Sequence, residues 1–221
     1  MRIFNKTKQI FLSKYFYYLF LNIFSLCVFL KITEDVLNKG LIVNFDFLIN
    51  EKIILLWRPW LDKIMISLTS IFDPLNLLIL SLILSGLFIY WKKWYFFSLY
   101  LAGLSGGIVF GYILKIIAHR DRPIGGLIFE TNFSFPSNHA IISAIFFPLL
   151  YCLFKDGIKN ILLKKIFLIV NIFFFLIVGF SRIYLKAHWF SDVIAGFSLG
   201  LFWLTFLILL FKVCRRMPYS A

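Results

Sequence analysis

Apolar runs recur along this chain at about Tyr15–Leu30, Pro74–Trp91, Tyr95–Ile117, Ala140–Phe154, Ile166–Phe180 and Val193–Phe211, with short basic stretches between most of them. A membrane-crossing helix needs about 20 predominantly apolar residues, and six such helices fit within 221 residues with loops to spare. Nothing else a chain can do with this pattern is open to it. The 62% hydrophobic content, 20% aromatic content and 15% charged content leave too little polar surface for a soluble globule, a disordered chain or a fibre. The predicted fold is an all-α integral membrane protein: one domain, residues 1–221, built as a six-transmembrane-helix bundle. Between the first two spans, Lys31–Asp73 is mixed. Within it Glu51–Ser70 carries Trp57 and Trp60 beside Arg58, Asp62 and Lys63, the composition of a helix lying in the membrane interface.

The formal net charge of +13 points to topology rather than to nucleic acid, because no Lys/Arg run forms a solvated groove. With the N-terminus inside, Arg2, Lys6, Lys8, Lys14, Lys92, Lys93, Lys155, Lys159, Lys164, Lys165, Lys212, Arg215 and Arg216 fall inside with only Asp156 opposing them. The outer side then holds ten basic and nine acidic residues. Both termini are therefore expected in the cytoplasm. After Leu30 the chain continues without a small-residue cleavage pattern, so the first run is expected to remain as a span rather than leave as a signal peptide. Cys27, Cys152 and Cys214 have no metal-ligand spacing and read as unpaired thiols. Gly103, Gly107 and Gly111 in the third span, and Gly196 and Gly200 in the sixth, repeat every fourth residue, as expected where helix backbones pack closely in lipid.

Ionisable residues at membrane depth are costly and mark function by default. Three clusters qualify, all on the outer side in this topology: Lys115 with Arg122-Pro123; Pro136-Ser137-Asn138-His139; and Ser181-Arg182 with His188 and Asp192. Lys115, Arg122 and Arg182 supply cations, and the arginine fork suits phosphate oxygens. Ser137 stands at an expected helix N-cap, so the amides of Asn138, His139 and Ala140 would point at a bound anion. His188 and Asp192, four apart, share a helical face, so the carboxylate can hold one ring nitrogen and leave the other free to attack. His139 is a second imidazole, suited to protonating a leaving oxygen. Together these make a phosphate cage with a nucleophile and an acid. His119-Arg120-Asp121 copies a kinase triplet but lacks the accompanying nucleotide loop, and Asn132-Phe133-Ser134 fits a glycosylation acceptor. Three histidines without a carboxylate cluster argue against a metal site, and no cofactor is expected.

The clusters resemble the signature of the phosphatidic acid phosphatase type 2 (lipid phosphate phosphatase) superfamily, K-x6-R-P, P-S-G-H and S-R-x5-H-x3-D, in order and at matching spacing over residues 115–192. Phe133-Ser134-Phe135-Pro136-Ser137 and Phe197-Ser198-Leu199-Gly200 are similar to phrases of bacterial phosphatidylglycerophosphatase B-like enzymes. The resemblance implies a metal-independent phosphatase working through a phosphohistidine. His188 would be the nucleophile, Asp192 its orienting partner and His139 the acid; Lys115, Arg122, Ser137, Asn138 and Arg182 would hold the phosphate. Asn138 departs from the family's glycine; asparagine tolerates unusual backbone angles, so the amide cradle is expected to survive. The implied substrate is a lipid phosphate in the bilayer (phosphatidylglycerophosphate, undecaprenyl diphosphate or phosphatidic acid), hydrolysed on the extracytoplasmic face of a bacterial inner membrane. No nucleic acid or obligate protein partner is expected. Two other readings remain: a lipid A phosphatase, and a non-catalytic lipid-phosphate binder or transporter. The second needs the cations but neither His139 nor the His188–Asp192 pair.

Overall fold

A computed structural model describes the backbone of residues 2–214 and the side chains of residues 15–73 and 75–212. The side chains of Arg2, Lys6, Lys8, Lys14, Cys214, Arg215 and Arg216, used above for the charge bias and the thiols, lie outside the described residues. Eight α-helices follow in order: α1 (Arg2–Leu37), α2 (Leu41–Lys52), α3 (Pro59–Ser70), α4 (Pro74–Tyr90), α5 (Trp94–Ala118), α6 (Asn138–Phe154), α7 (Ile161–Tyr184) and α8 (Phe190–Cys214), with a 3₁₀ turn at Ile53–Leu56. No strand occurs among the described residues.

Each apolar run of the sequence lies within a helix, save that Trp91 stands one residue past the end of α4. Among the described residues, Tyr15–Leu37, Trp94–Ala118, Ile161–Tyr184 and Phe190–Lys212 are long and apolar enough to cross a membrane. A fifth span results if α3 and α4, which meet at a 52° bend, count as one. The shorter α6 has 17 residues. The helix at the fifth run begins at Ile161 rather than near Ile166, and two larger differences from the sequence expectation concern the first helix and the mixed segment. The first helix continues past Leu30 to Leu37, because Lys31 pairs with Glu34 at 3.0 Å and Asp35 at 3.1 Å on the same helical face and so carries its charge within the helix. The mixed segment contains not one helix but two, α2 and α3, separated by the 3₁₀ turn.

The glycine stripes explain the arrangement of the bundle. A Cβ on Gly103 or Gly107 of α5 would lie within 3 Å of Ile145 side-chain atoms, and one on Gly196 or Gly200 of α8 would lie 2.6 Å from the carbonyl oxygens of Ser137 and Ile141. Both stripes therefore face α6, which is held between α5 and α8 at backbone contact distance. Residues 140–147 are buried throughout as a result. On the outer flank of α8, Asn22 of α1 donates to Phe202 O at 2.9 Å and to Thr205 Oγ1 at 3.0 Å. At one end of the bundle Lys93 Nζ reaches Leu153 O at 3.1 Å, placing the start of α5 beside the end of α6. At the other end the C-termini of α5 and α7 meet the N-termini of α6 and α8. All three motif clusters come from these termini.

Candidate active site

Hydrogen bonds between backbone segments join the three clusters. Ser137 N donates to Asp192 O at 3.1 Å, tying the start of α6 to the start of α8. The loop from His119 to Ser137 is pinned on itself, with Ser134 N donating to Arg120 O at 2.8 Å and Ser134 Oγ donating to Asp121 O at 3.0 Å. Lys115, buried near the end of α5, donates to Phe133 O at 2.5 Å and Ser134 O at 3.3 Å. A buried ammonium needs such acceptors to offset its lost hydration. His119 caps α5 in the left-handed conformation (φ 45°), which turns the chain from the helix into this loop.

Arg122 is the hub of the loop. Its Nη1 donates to Ala187 O at 2.5 Å and lies 3.3 Å from His188 Nε2, while Nε donates to Asn132 O at 2.7 Å. An arginine can only donate, so this contact marks Nε2 as the lone-pair nitrogen of His188 and puts the ring proton on Nδ1. Nδ1 lies 3.4 Å from Asp192 Oδ2, aligned too poorly for a hydrogen bond as it stands. Burial, followed by the nearby charges of Lys115, Arg122 and Arg182, pushes the His188 imidazole well below its ordinary value. The neutral form that a nucleophile requires is thereby favoured. Burial also brings Arg122 down to about 10, which leaves it cationic at neutral pH.

His139 occupies the first turn of α6, with Nε2 at 3.4 Å from Asp73 Oδ1 at the α3–α4 bend. Arg182, only 1% exposed, donates Nη1 to Thr69 Oγ1 at 2.7 Å, and its Nη2 pairs with Glu130. Glu130 also pairs with Arg122 Nη2 at 2.7 Å through its other oxygen, so one carboxylate bridges the two arginines. Ser137 is the N-cap of α6, but its hydroxyl caps nothing: it is buried without a hydrogen-bond partner, as are His139 Nε2, His188 Nδ1 and Arg182 Nε. Unsatisfied buried polar atoms are rare in folded chains, and their clustering among these residues is the mark of a site made for a polar group.

A cavity of about 630 Å³ runs from this cluster into the bundle. Lys115, Arg122, Glu130, Asn132, Asn138, His139 and His188 line its polar end. Phe72, Leu77, Leu78, Leu101, Leu104, Ile108 and Ile142, with Asp73, Ser81 and Ser105 among them, line the rest. Leu78 of α4 and Leu101 and Ile108 of α5, which line this part, are themselves exposed. Of the residues expected from sequence, Lys115, Arg122, Asn138, His139 and His188 meet in the cavity itself. Arg182 joins through Glu130, Asp192 stands behind His188, and Ser137 lies under the first turn of α6. Asn138 is accommodated for a different reason from the one its sequence suggested. It is an ordinary helical residue, and room for its side chain comes from Gly111, where a Cβ would lie 2.2 Å from Asn138 Oδ1.

Four charged residues in the neighbourhood were not singled out from sequence: Asp46, Asp73, Arg120 and Glu130. Arg120 drew notice only within the kinase-like triplet. Its guanidinium in fact bridges Asp46 and Asp192, at 2.6 Å from each. Among the described residues no three His, Cys, Asp or Glu side chains converge in a way that would hold a metal ion.

Apolar helices here gather around a buried cluster of cations and imidazoles. A model of the PAP2 superfamily matches residues 74–216, and the chain belongs to that superfamily. It is 34% identical over 186 residues to phosphatidylglycerophosphatase B of Bacillus subtilis, covering 80% of this chain and 88% of that protein. It is 33% identical over 109 residues to an undecaprenyl-diphosphatase of Sulfolobus acidocaldarius, covering 45% and 47%. The crystal structure of a transmembrane PAP2-type phosphatidylglycerolphosphate phosphatase from Bacillus subtilis superimposes with a TM-score of 0.78 at 28% identity, covering 89% of this chain and 98% of that one.

Proposed function

We propose that this chain is a single-domain, metal-independent phosphohydrolase that removes the terminal phosphate from a membrane lipid through a phosphohistidine on His188. The observation that carries this reading is the setting of His188. Its Nε2 lone pair faces Arg122 at 3.3 Å beside the cavity, and its Nδ1 faces a buried carboxylate. A protein that merely bound a lipid phosphate would need the cations, but it would have no use for a buried, neutral imidazole backed by Asp192.

In the proposed reaction Nε2 attacks phosphorus, the bond to the lipid oxygen breaks, and His139 gives its proton to that oxygen. Asp192 stabilises the charge that develops on the His188 ring. Water then attacks the phosphohistidine, giving one proton to His139, and inorganic phosphate leaves with His188 restored. Lys115, Arg122 and Arg182 neutralise the phosphoryl oxygens, and the free Ser137 hydroxyl and first amides of α6, including that of Asn138, supply neutral donors. Glu130, which bridges the two arginines, must yield to an incoming phosphate. The apolar part of the cavity, lined by residues of α4 and α5, would take the first part of an acyl or isoprenoid chain.

The names of the relatives make phosphatidylglycerophosphate and undecaprenyl diphosphate the leading substrates, with phosphatidic acid beside them and lipid A as the further alternative. Under the same reading the bundle crosses the membrane six times, with α3 at the interface, the termini inside and the site on the extracytoplasmic face. The test is phosphate release by the full chain in detergent micelles on those four lipid phosphates, with and without EDTA. Release from at least one of them, unchanged by EDTA, is expected. Lipid binding without release from any would replace the enzyme with a binder, and loss on chelation with recovery on adding Mg²⁺ would overturn the metal-independent mechanism.

A further inference from the structure

Asp46 lies outside the three motif clusters, and Arg120 is a position inside the first of them to which the motif gives no role; Arg120 pairs with Asp192 directly, and Asp46 joins through Arg120 and Ser191. Arg120 donates Nη1 to Asp192 Oδ1 at 2.6 Å and to Ser191 Oγ at 2.7 Å, and it donates Nη2 to Asp46 Oδ2 at 2.6 Å. Asp46 comes from α2 and is 1% exposed. It also accepts from Ser191 N at 2.8 Å and Ser191 Oγ at 2.6 Å. The Arg120 guanidinium lies over the Trp189 ring, with its central carbon 5.5 Å from the centroid. Two buried carboxylates on neighbouring residues would repel each other, and a planar fork between them is the arrangement that only arginine provides.

The consequence falls on the orientation of Asp192. Arg120 occupies Oδ1, while Oδ2 accepts from Trp189 N at 3.0 Å and faces His188 Nδ1 at 3.4 Å. With one oxygen fixed by a charged bond and the carboxylate plane set by the guanidinium, Oδ2 has one direction in which to point. We infer that Arg120 and Asp46 are positioning residues for the phosphohydrolase reaction: they hold the Asp192 carboxylate in the rotation that presents Oδ2 to His188. The α2 helix, outside the motifs, thereby becomes part of the catalytic apparatus. This rests on the phosphohistidine reading given above.

The test is a double-mutant cycle on the full chain in detergent micelles. Arg120→Lys and Asp46→Asn are each made in the wild-type and Asp192→Asn backgrounds, with kcat, KM and Tm measured on the best lipid phosphate. Misplacing a catalytic group by about 1 Å costs about 100-fold, so Arg120→Lys is expected to lower kcat by roughly 10- to 100-fold with KM changed by less than about 3-fold. In the Asp192→Asn background, where there is no carboxylate left to orient, the same substitution is expected to cost no more than about 2-fold. Asp46→Asn, closer in shape, is expected to show the same dependence on background with a smaller loss, and it carries the cycle if Arg120→Lys does not fold. Equal fold-losses in both backgrounds, or an unchanged kcat, would overturn the positioning role while leaving the phosphatase reading intact. A wild-type chain that releases no phosphate from any of the four lipids would overturn both.

Discussion

Gly196 stands where α8 touches the first turn of α6, directly beneath the proposed site. Replacing it with Ala puts a methyl group 2.6 Å from Ser137 O and 2.8 Å from Ala140 Cβ. A carbon–oxygen contact settles at about 3.3 Å or more, so α6 and α8 must part locally by about 0.7 Å. Overpacking of this kind costs about 1–3 kcal/mol. The displaced atoms belong to Ser137 and Ala140, which flank Asn138 and His139 in the first turn of α6, so turnover is expected to fall by about 10- to 100-fold as well. Gly200→Ala makes an equally severe contact one turn further from the site, 2.6 Å from Ile141 O and 2.7 Å from Ala144 Cβ. A similar loss of Tm with a smaller loss of kcat is expected there. Gly86→Ala meets nothing within 4 Å and should leave Tm unchanged or raise it, since Ala is favoured over Gly in a helix by about 1 kcal/mol. The assay is Tm by intrinsic fluorescence in detergent alongside phosphate release for the three variants. If Gly196→Ala is as stable and active as Gly86→Ala, the close packing of α6 against α8 is refuted. If Gly200→Ala loses as much kcat as Gly196→Ala, the link between that packing and the site is refuted.

His139→Ala should keep a larger fraction of wild-type activity on an aryl phosphate than on a lipid monoester, because an acidic leaving group needs little protonation; His188→Ala should show no such recovery. The opposite pattern in phosphate release would reverse the two roles. Because burial and the surrounding cations depress the His188 value, the folded protein keeps this ring neutral as pH falls through 6.5, whereas the unfolded chain takes up the proton. This group's contribution therefore lowers stability as pH drops below 6.5, and a ¹⁵N-histidine NMR titration giving His188 a midpoint at or above 6.5 would contradict the buried, cation-flanked site. Thr131 and Lys159, both exposed in loops at opposite ends of the bundle, should label as cysteines from opposite sides of the membrane. Labelling of both from one side would end the proposed topology.

Lys115, His139, His188 and Asp192 could be read from the sequence because they border apolar runs, and Arg122 because motif spacing links it to them. The same contrast identified α5, α7 and α8, and it identified the glycine stripes, whose function is local to a helix face. Asp46, Asp73, Arg120 and Glu130 have no role in the motif spacing, and a lone carboxylate or guanidinium in a loop or a mixed segment looks like an ordinary solvated residue. Their roles depend on partners far away in the chain: Asp46 meets Ser191 and Arg120, Asp73 meets His139, and Glu130 meets Arg182.

The sequence by itself determined that the chain is a helical membrane protein with cations and imidazoles at the ends of its spans. Hydrophobic periodicity and the cost of burying charge act residue by residue and need no fold to be read. Only the tertiary structure decided which oxygen of Asp192 faces His188, which carboxylate bridges the arginines, and why Asn138 fits opposite Gly111. Those outcomes depend on through-space distances of a few ångströms between segments that only the packing of α2, α5, α6 and α8 brings together.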